Sequence, residues 1–358
     1  MRPHAWLTSL LLLTIAAPAF AAQHPVALFY LTNDPEGIRD FFAHSSQIDL
    51  LVPTWYGVDE NGLVSGEPEP AVLREAQSEK LPVMPIVGLA NKRSFHLLAT
   101  SATAQAAMNE ALVRECKLHG YSGFQFDIEN IDWTDRDALT ALVAKTADAL
   151  HKAGFQLSIA TVPNAPGYAE GDGGFARWIY SDWRGAYDLA GLAKSVDLIC
   201  LMTYDQNTRW TTPGPVAGWQ WTLDNMNYAL QYVPKDKLSL GIPLYGYHWY
   251  TGAPIVTPPT HEGGAPVEKP NPTADYIGAE NAEQLAHDWG GRIQWDDQDH
   301  TAWFYINRDQ MREWVFFTDL HTFRDRYELM QQNGLEGFCS WVLGQEDPAI
   351  WTILPKRP

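Results

Sequence analysis

Apolar positions recur along this chain with two periods. Short runs alternate apolar and polar residues at every second position, the period of a strand, and the stretches between them repeat at the three-to-four spacing of a helix face. Val26–Leu31 predicts a first strand, followed by a helix near Glu36–His44. Ile48–Pro53 predicts a second strand with a helix over Pro70–Ser78, and Leu81–Gly88 a third with a helix over Ala102–His119. A fourth lies within Gly123–Asp132, and the helix Asp135–Lys152 follows it, with Thr134 as the expected cap and Asp137 three residues on. Phe155–Thr161 is the fifth strand; beyond it Pro163–Gly174 reads as a Pro/Gly-rich loop, and Phe175–Ala193 carries aromatics at mixed spacing. Val196–Tyr204 predicts the sixth strand with Trp219–Tyr232 as its helix, Leu238–Pro243 the seventh, and Phe338–Val342 the eighth, preceded by the helix Leu320–Gln332.

Strands alternating with helices in this way predict an α/β fold, a (β/α)8 TIM barrel, which takes about 250 residues. The chain has 358. The excess falls in Gly246–Thr318, where the rhythm breaks into a Pro/Gly-rich segment, a short helix near Glu280–Asp288 and strand patterns at Arg292–Trp295, Thr301–Asn307 and Arg312–Phe317. The expected organisation is therefore a barrel over residues 23–245 and 319–358, with a small α+β insertion over 246–318 between the seventh strand and the last helix. Residues 1–22 read as a signal peptide: Arg2 is positive, Leu7–Ala17 is apolar, and Ala19-Phe20-Ala21 is a small-x-small site. Cleavage is expected after Ala21 or Ala22, giving a periplasmic or secreted protein with no lipid anchor and no membrane insertion.

Composition narrows the chemistry. With 46% apolar residues, 15 Trp and 15 Tyr, the chain can fill a core and still line a sugar-binding groove with aromatic rings. A net charge of −18 argues against nucleic acid or an anionic membrane as partner, because phosphates need Lys and Arg. The three cysteines, Cys116, Cys200 and Cys339, have no metal-ligand spacing and read as thiols rather than a disulfide framework, the latter two buried within apolar runs. The eleven His are scattered, so neither a metal nor another cofactor is expected. Asp296-Asp297-Gln298-Asp299 lacks the Gly and Glu of a calcium loop and reads as a polar turn.

The candidate chemistry lies at the strand ends, where a barrel gathers its site. Within Gly123–Asp132 the strand period puts Phe124, Phe126 and Ile128 on one face and Gln125, Asp127 and Glu129 on the other. The sixth strand ends in Met202-Thr203-Tyr204-Asp205, the seventh runs into Leu244-Tyr245-Gly246-Tyr247, and the eighth ends at Trp341. Two acids, a phenol, a further Asp and an aromatic floor suit cleavage of a bond between sugars. Asp205, Tyr245 and Trp341, together with Tyr30 from the first strand, are the candidates to hold the substrate.

These motifs resemble glycoside hydrolase family 18, in the branch of spore-cortex-lytic glucosaminidases and di-N-acetylchitobiase. The family's Asp-x-x-Asp-x-Asp-x-Glu falls on Ser122, Gln125, Asp127 and Glu129; its Met-x-Tyr-Asp falls on Met202, Tyr204 and Asp205; and its closing Trp falls on Trp341. Gly241–Tyr247, Trp314–Asp319 and Gly337–Gly344 carry the likeness to the branch, and the match spans the mature chain. The resemblance implies a retaining, substrate-assisted hydrolase acting on β-linked N-acetylglucosamine in peptidoglycan fragments or chito-oligosaccharides. It implies Glu129 as general acid and base, Asp127 as the group that orients the 2-acetamido group, and Tyr204 as the residue holding its carbonyl. The charge of Asp127 is expected to disfavour ionisation of Glu129.

Two residues depart from the pattern: Ser122 replaces the first Asp, and Gln125 replaces the middle one, as an auxiliary amide able to donate to Asp127. Tyr247 stands where many chitinases carry Arg. The partner expected is an oligosaccharide or polysaccharide, and the protein is expected to be a monomer. The alternatives are a catalytically inactive sugar-binding protein and an endo-β-N-acetylglucosaminidase acting on N-glycans.

Overall fold

The computed structural model describes residues 25–165, 183–258 and 266–357. The expected signal peptide, most of the expected loop Pro163–Gly174 and the first part of the aromatic-rich segment 175–193 lie outside them. Among the described residues fifteen strands form two sheets.

The larger sheet runs in the order β2 (Leu50–Pro53), β1 (Val26–Leu31), β15 (Gly337–Trp341), β9 (Leu238–Pro243), β8 (Leu198–Leu201), β7 (Gln156–Thr161), β6 (Gly123–Ile128), β5 (Ile86–Leu89), β3 (Tyr56–Val58) and β4 (Val64–Gly66). Pairing is parallel except in the β3–β4 hairpin. Leu51 bridges in parallel to Val83, just before β5, with Leu51 N donating to the Pro82 carbonyl at 3.0 Å and Met84 N to the Leu51 carbonyl at 2.9 Å. That contact joins β2 to the segment leading into β5 and closes the eight parallel strands β1, β2, β5, β6, β7, β8, β9 and β15 into a ring, so the fold is a (β/α)8 barrel. The expected third strand appears in two pieces, the bridge at Val83 and β5.

Alternation along each strand sorts the two cores. Phe29, Phe124, Phe126, Ile128, Ile159, Leu240 and Phe338 face the helices in the main hydrophobic cluster. Leu28, Tyr30, Met84, Ile86, Leu198, Cys200 and Cys339 form a separate cluster inside the barrel. Glycine marks two close approaches. A Cβ on Gly123 would lie 2.0 Å from the Gln156 carbonyl oxygen, and one on Gly241 would lie 2.4 Å from that of Leu201.

The helices follow ordinary capping rules. Ser101 caps the helix Ala102–His119 by accepting from Ala104 N, and Gly120 closes it in the left-handed region at φ 73°. One expected cap is corrected. Asp132, not Thr134, makes the turn after β6: its Oδ1 accepts from Thr134 N at 3.0 Å and from Thr134 Oγ1 at 2.8 Å. The Thr134 hydroxyl is thereby spent as a donor, and the α-helix begins only at Arg136, after the 3-10 turn Trp133–Asp135.

The second sheet has the order β11 (Val267–Gly278), β10 (Tyr245–Thr257), β14 (Met311–Phe317), β13 (Thr301–Arg308) and β12 (Gln294–Asp296), all antiparallel. The helix Ala279–Trp289 lays Ala279, Ala282 and Ala286 on a core of Phe304, Ile306, Val315 and Phe317. The long β10–β11 hairpin occupies the stretch expected to be Pro/Gly-rich and irregular. Arg326, 1% exposed, ties this sheet to the barrel. Its guanidinium donates to the carbonyls of His300 at 2.9 Å, Thr322 at 3.0 Å and Asp299 at 3.3 Å, and also to that of Ala217.

Candidate active site

The carboxyl ends of the barrel strands open onto one cavity, lined by Tyr30, Asp127, Glu129, Tyr204, Asp205, Tyr245 and Trp341 together with Trp183, Met202 and Tyr276. Each strand delivers its residue by simple alternation. On β6, Gln125 and Asp127 point inward while Phe124, Phe126 and Ile128 pack outward. The register with β5 then leaves Glu129 just past the strand, its N–H donating to the Leu89 carbonyl at 3.0 Å. Asp127 and Glu129 also border a second depression, towards Asp59, Ser65 and Gly88 beside the β3–β4 hairpin, so a groove passes on both sides of the two acids.

Asp127 is the most perturbed acid of the cavity. Its Oδ1 is buried and has no hydrogen-bond partner among the described residues. Burial first, and the Glu129 charge second, push this carboxyl up to about 7.

Gln125 does not line the cavity. It lies fully buried one layer below, where Nε2 donates to Ser158 Oγ at 2.9 Å and to Cys200 Sγ at 3.2 Å, while Oε1 has no partner among the described residues. The expected donation to Asp127 is therefore not made, because Ser158 and Cys200 take the amide protons. Ser122 faces away from the site and donates to the Val83 carbonyl at 3.0 Å. All three cysteines are free and buried.

Three of the expected site phenols, Tyr30, Tyr204 and Tyr245, line the same cavity as the acids. Tyr204 and Tyr30 are buried, and desolvation holds both well above the ordinary phenol range, so they stay neutral O–H groups. Tyr245, the first residue of β10, donates to Asp205 Oδ1 at 2.5 Å. Asp205 takes up a positive φ of 60°, and burial raises its carboxyl while the Tyr245 hydrogen bond opposes the rise. The Trp341 ring lies 5.4 Å from that of Tyr30.

Two aromatic lining residues escaped the sequence reading. Tyr276 comes from β11, with its ring 4.6 Å from Tyr245 and 4.8 Å from Tyr247. The hairpin that carries it was not expected, although Tyr276 lies in a short alternating run before the helix Ala279–Trp289. Trp183 donates its indole N–H to Glu129 Oε2 at 3.1 Å. The aromatic spacing of its segment was the available signal, but nothing in that spacing pointed to a carboxylate. Among the described residues no group of three or more His, Cys, Asp or Glu side chains could hold a metal ion, and no helix is long and apolar enough to cross a membrane.

The arrangement joins an acid within reach of a hydrogen-bond donor, a buried carboxylate with a free acceptor atom, and phenolic donors over an aromatic floor. The sequence pattern of the glycosyl hydrolases family 18 matches residues 26–346. The Bacillus subtilis "uncharacterized glycosylase YvbX" is 21% identical over 91% of this chain and 90% of its own length. The cortical fragment-lytic enzyme of the same organism is 24% identical over 84% of this chain, which spans 66% of that enzyme. Among solved structures, a chitinase from Chromobacterium violaceum superposes with a TM-score of 0.78 at 22% identity, covering 92% of this chain and 98% of its own. The spore cortex-lytic enzyme SleL of Bacillus megaterium gives the same score at 20% identity, over 93% of this chain and 75% of its own. The chain belongs to glycoside hydrolase family 18 and is a chitinase-like glycosidase built on a TIM barrel.

Proposed function

We propose that this glycosidase is an exported, retaining enzyme that cleaves β-linked N-acetylglucosamine glycans, peptidoglycan fragments or chito-oligosaccharides, with the substrate's own acetamido group as nucleophile. The observation that carries the reading is the unpartnered Asp127 Oδ1 in the same cavity as Glu129 and Tyr204. A buried acceptor without a donor is costly and is satisfied when a ligand N–H arrives. The 2-acetamido N–H is such a donor, and Tyr204 can donate to the acetamido carbonyl.

In this mechanism Glu129 gives its proton to the glycosidic oxygen as that oxygen leaves C1. The acetamido carbonyl oxygen attacks C1 from the opposite face, forming an oxazolinium ion whose positive charge faces Asp127. Glu129, now a carboxylate, takes a proton from water, and the hydroxyl oxygen attacks C1 from the side the leaving sugar vacated. The acetamido group is restored and the configuration at C1 is retained; separation of the two carboxylates does not govern stereochemistry in this substrate-assisted class. Asp205, Tyr245, Tyr30 and Trp341 would hold the sugar at the cleavage point, and the residues 246–318 would act as an insertion that raises one wall of the groove through Tyr276. Residues 1–22 would direct export.

Side-by-side digestion of purified peptidoglycan and chitotetraose, with mass spectrometry of the products, tests the substrate class. Wild type should cut at N-acetylglucosamine, and Glu129→Gln should lose several orders of magnitude of turnover while keeping affinity. General acid catalysis alone contributes about 10²–10⁴-fold, and Glu129 serves in both steps. Binding of both glycans without cleavage by the wild type would identify a sugar-binding protein instead.

A further inference from the structure

We propose that Trp183 is a positioning residue that decides which oxygen of Glu129 holds the transferable proton. The inference rests on the reading of Glu129 as the general acid. The indole Nε1 sits 3.1 Å from Glu129 Oε2, and an indole N–H can only donate. A proton on Oε2 would set two donors against each other, so in the protonated carboxyl the hydrogen is confined to Oε1. Once that proton has left, the same N–H meets an ionised oxygen, and charge-assisted hydrogen bonds are the stronger kind. Trp183 thus holds the side chain in one orientation through both halves of the reaction.

The segment that carries Trp183 is itself fixed to the strand end. Four residues on, Tyr187 is 2% exposed and donates from its hydroxyl to the Ile128 carbonyl at 2.7 Å, gripping the backbone between Asp127 and Glu129. Asp188 pairs with Arg136 at 3.3 Å, at the start of the helix that follows β6. One short segment therefore holds the acid at two points, by its carboxyl oxygen and by the peptide unit beneath it.

Trp183→Phe keeps a ring in place and removes only the donor. On a chito-oligosaccharide, whose leaving sugar needs the proton, kcat/KM should fall roughly 10- to 100-fold, at or below the ~10²–10³ of a donor aimed at developing charge. On an aryl chitobioside whose phenolate leaves without protonation, kcat/KM should change by less than about threefold. Equal losses on the two substrates, as a merely structural role would give, or no loss on either, overturn the proposal. A second readout needs no turnover. The Trp183 indole N–H resonance, assigned by its disappearance in Trp183→Phe, should lie downfield in the wild type and move upfield in Glu129→Gln; an unchanged resonance overturns the proposal. If the wild type cleaves neither glycan, the proposed activity fails, and the resonance still decides whether Trp183 holds Glu129.

Discussion

At position 125 a neutral amide lies fully buried against Ser158 and Cys200, one layer below the buried carboxyl of Asp127. A second carboxylate there would have to be desolvated next to the first, which is expensive without a cation, and the amide avoids that cost. Asp127 itself is held up at about 7, against an ordinary Asp near ~3.9. The folded chain therefore binds this proton more tightly than the unfolded chain. The stability tied to it is fully present below about pH 4 and is lost as pH rises towards about 7. Asp127→Asn removes the titration. It should stabilise the fold by on the order of 2–4 kcal/mol at about pH 8, with the gain vanishing near pH 4, while turnover collapses. Thermal unfolding of both proteins across that range checks this; parallel curves would contradict it. Glu346, also pushed up to about 7 by burial, should leave part of the pH dependence in the variant. At this scale much was legible: strand alternation was enough to bring Asp127, Glu129, Tyr204 and Asp205 to strand ends on one cavity. The hydrogen bonds were not legible, because the partners Ser158, Cys200 and Trp183 lie 33, 75 and 54 residues away.

The barrel strands read clearly because each is buried on both sides and bounded by turn residues. The β10–β11 hairpin did not, and its prolines explain why. Pro270 and Pro272 sit in β11, which pairs only with β10 at the edge of the sheet, where a missing N–H on the outer side costs no ladder bond. Pro254 falls in the register shift between Gly252 and Ile255. Proline that would veto a central strand is tolerated at these positions, so the stretch looked irregular and Tyr276 went unnoticed. Between the second sheet and the barrel, Arg326 is the joint. Among the described residues it has no carboxylate partner within a salt bridge, and burial pushes its guanidinium down to about 10. Arg326→Met should leave the carbonyls of Ala217, Asp299, His300 and Thr322 short of donors at the seam. The expected cost is about 2–4 kcal/mol, since each buried unsatisfied group costs about 1–3 and relaxation recovers part. Urea unfolding measures it; an unchanged midpoint would mean that the seam is held elsewhere.

Over the whole molecule, a net charge of −18 surrounds a groove whose floor is aromatic and whose proposed ligand is neutral. Raising salt from about 0.1 to about 1 M shortens the screening length from about 10 to about 3 Å. Neutral chito-oligosaccharides should then show kcat/KM constant within about twofold, while peptidoglycan carrying free stem-peptide carboxylates should be cleaved faster as repulsion is screened. A steep loss with salt on either substrate would point to a cationic binding surface that the chain's charge balance argues against. The central claim, that the acetamido group of the substrate is the nucleophile, makes a statement about stereochemistry that one spectrum can check. Proton NMR of chitotetraose digestion in its first minutes should show the new reducing end as the β-anomer, decaying to the equilibrium mixture by mutarotation. Initial appearance of the α-anomer would mean direct attack by water, and the assignment of Asp127, Glu129 and Tyr204 to a substrate-assisted mechanism would be wrong.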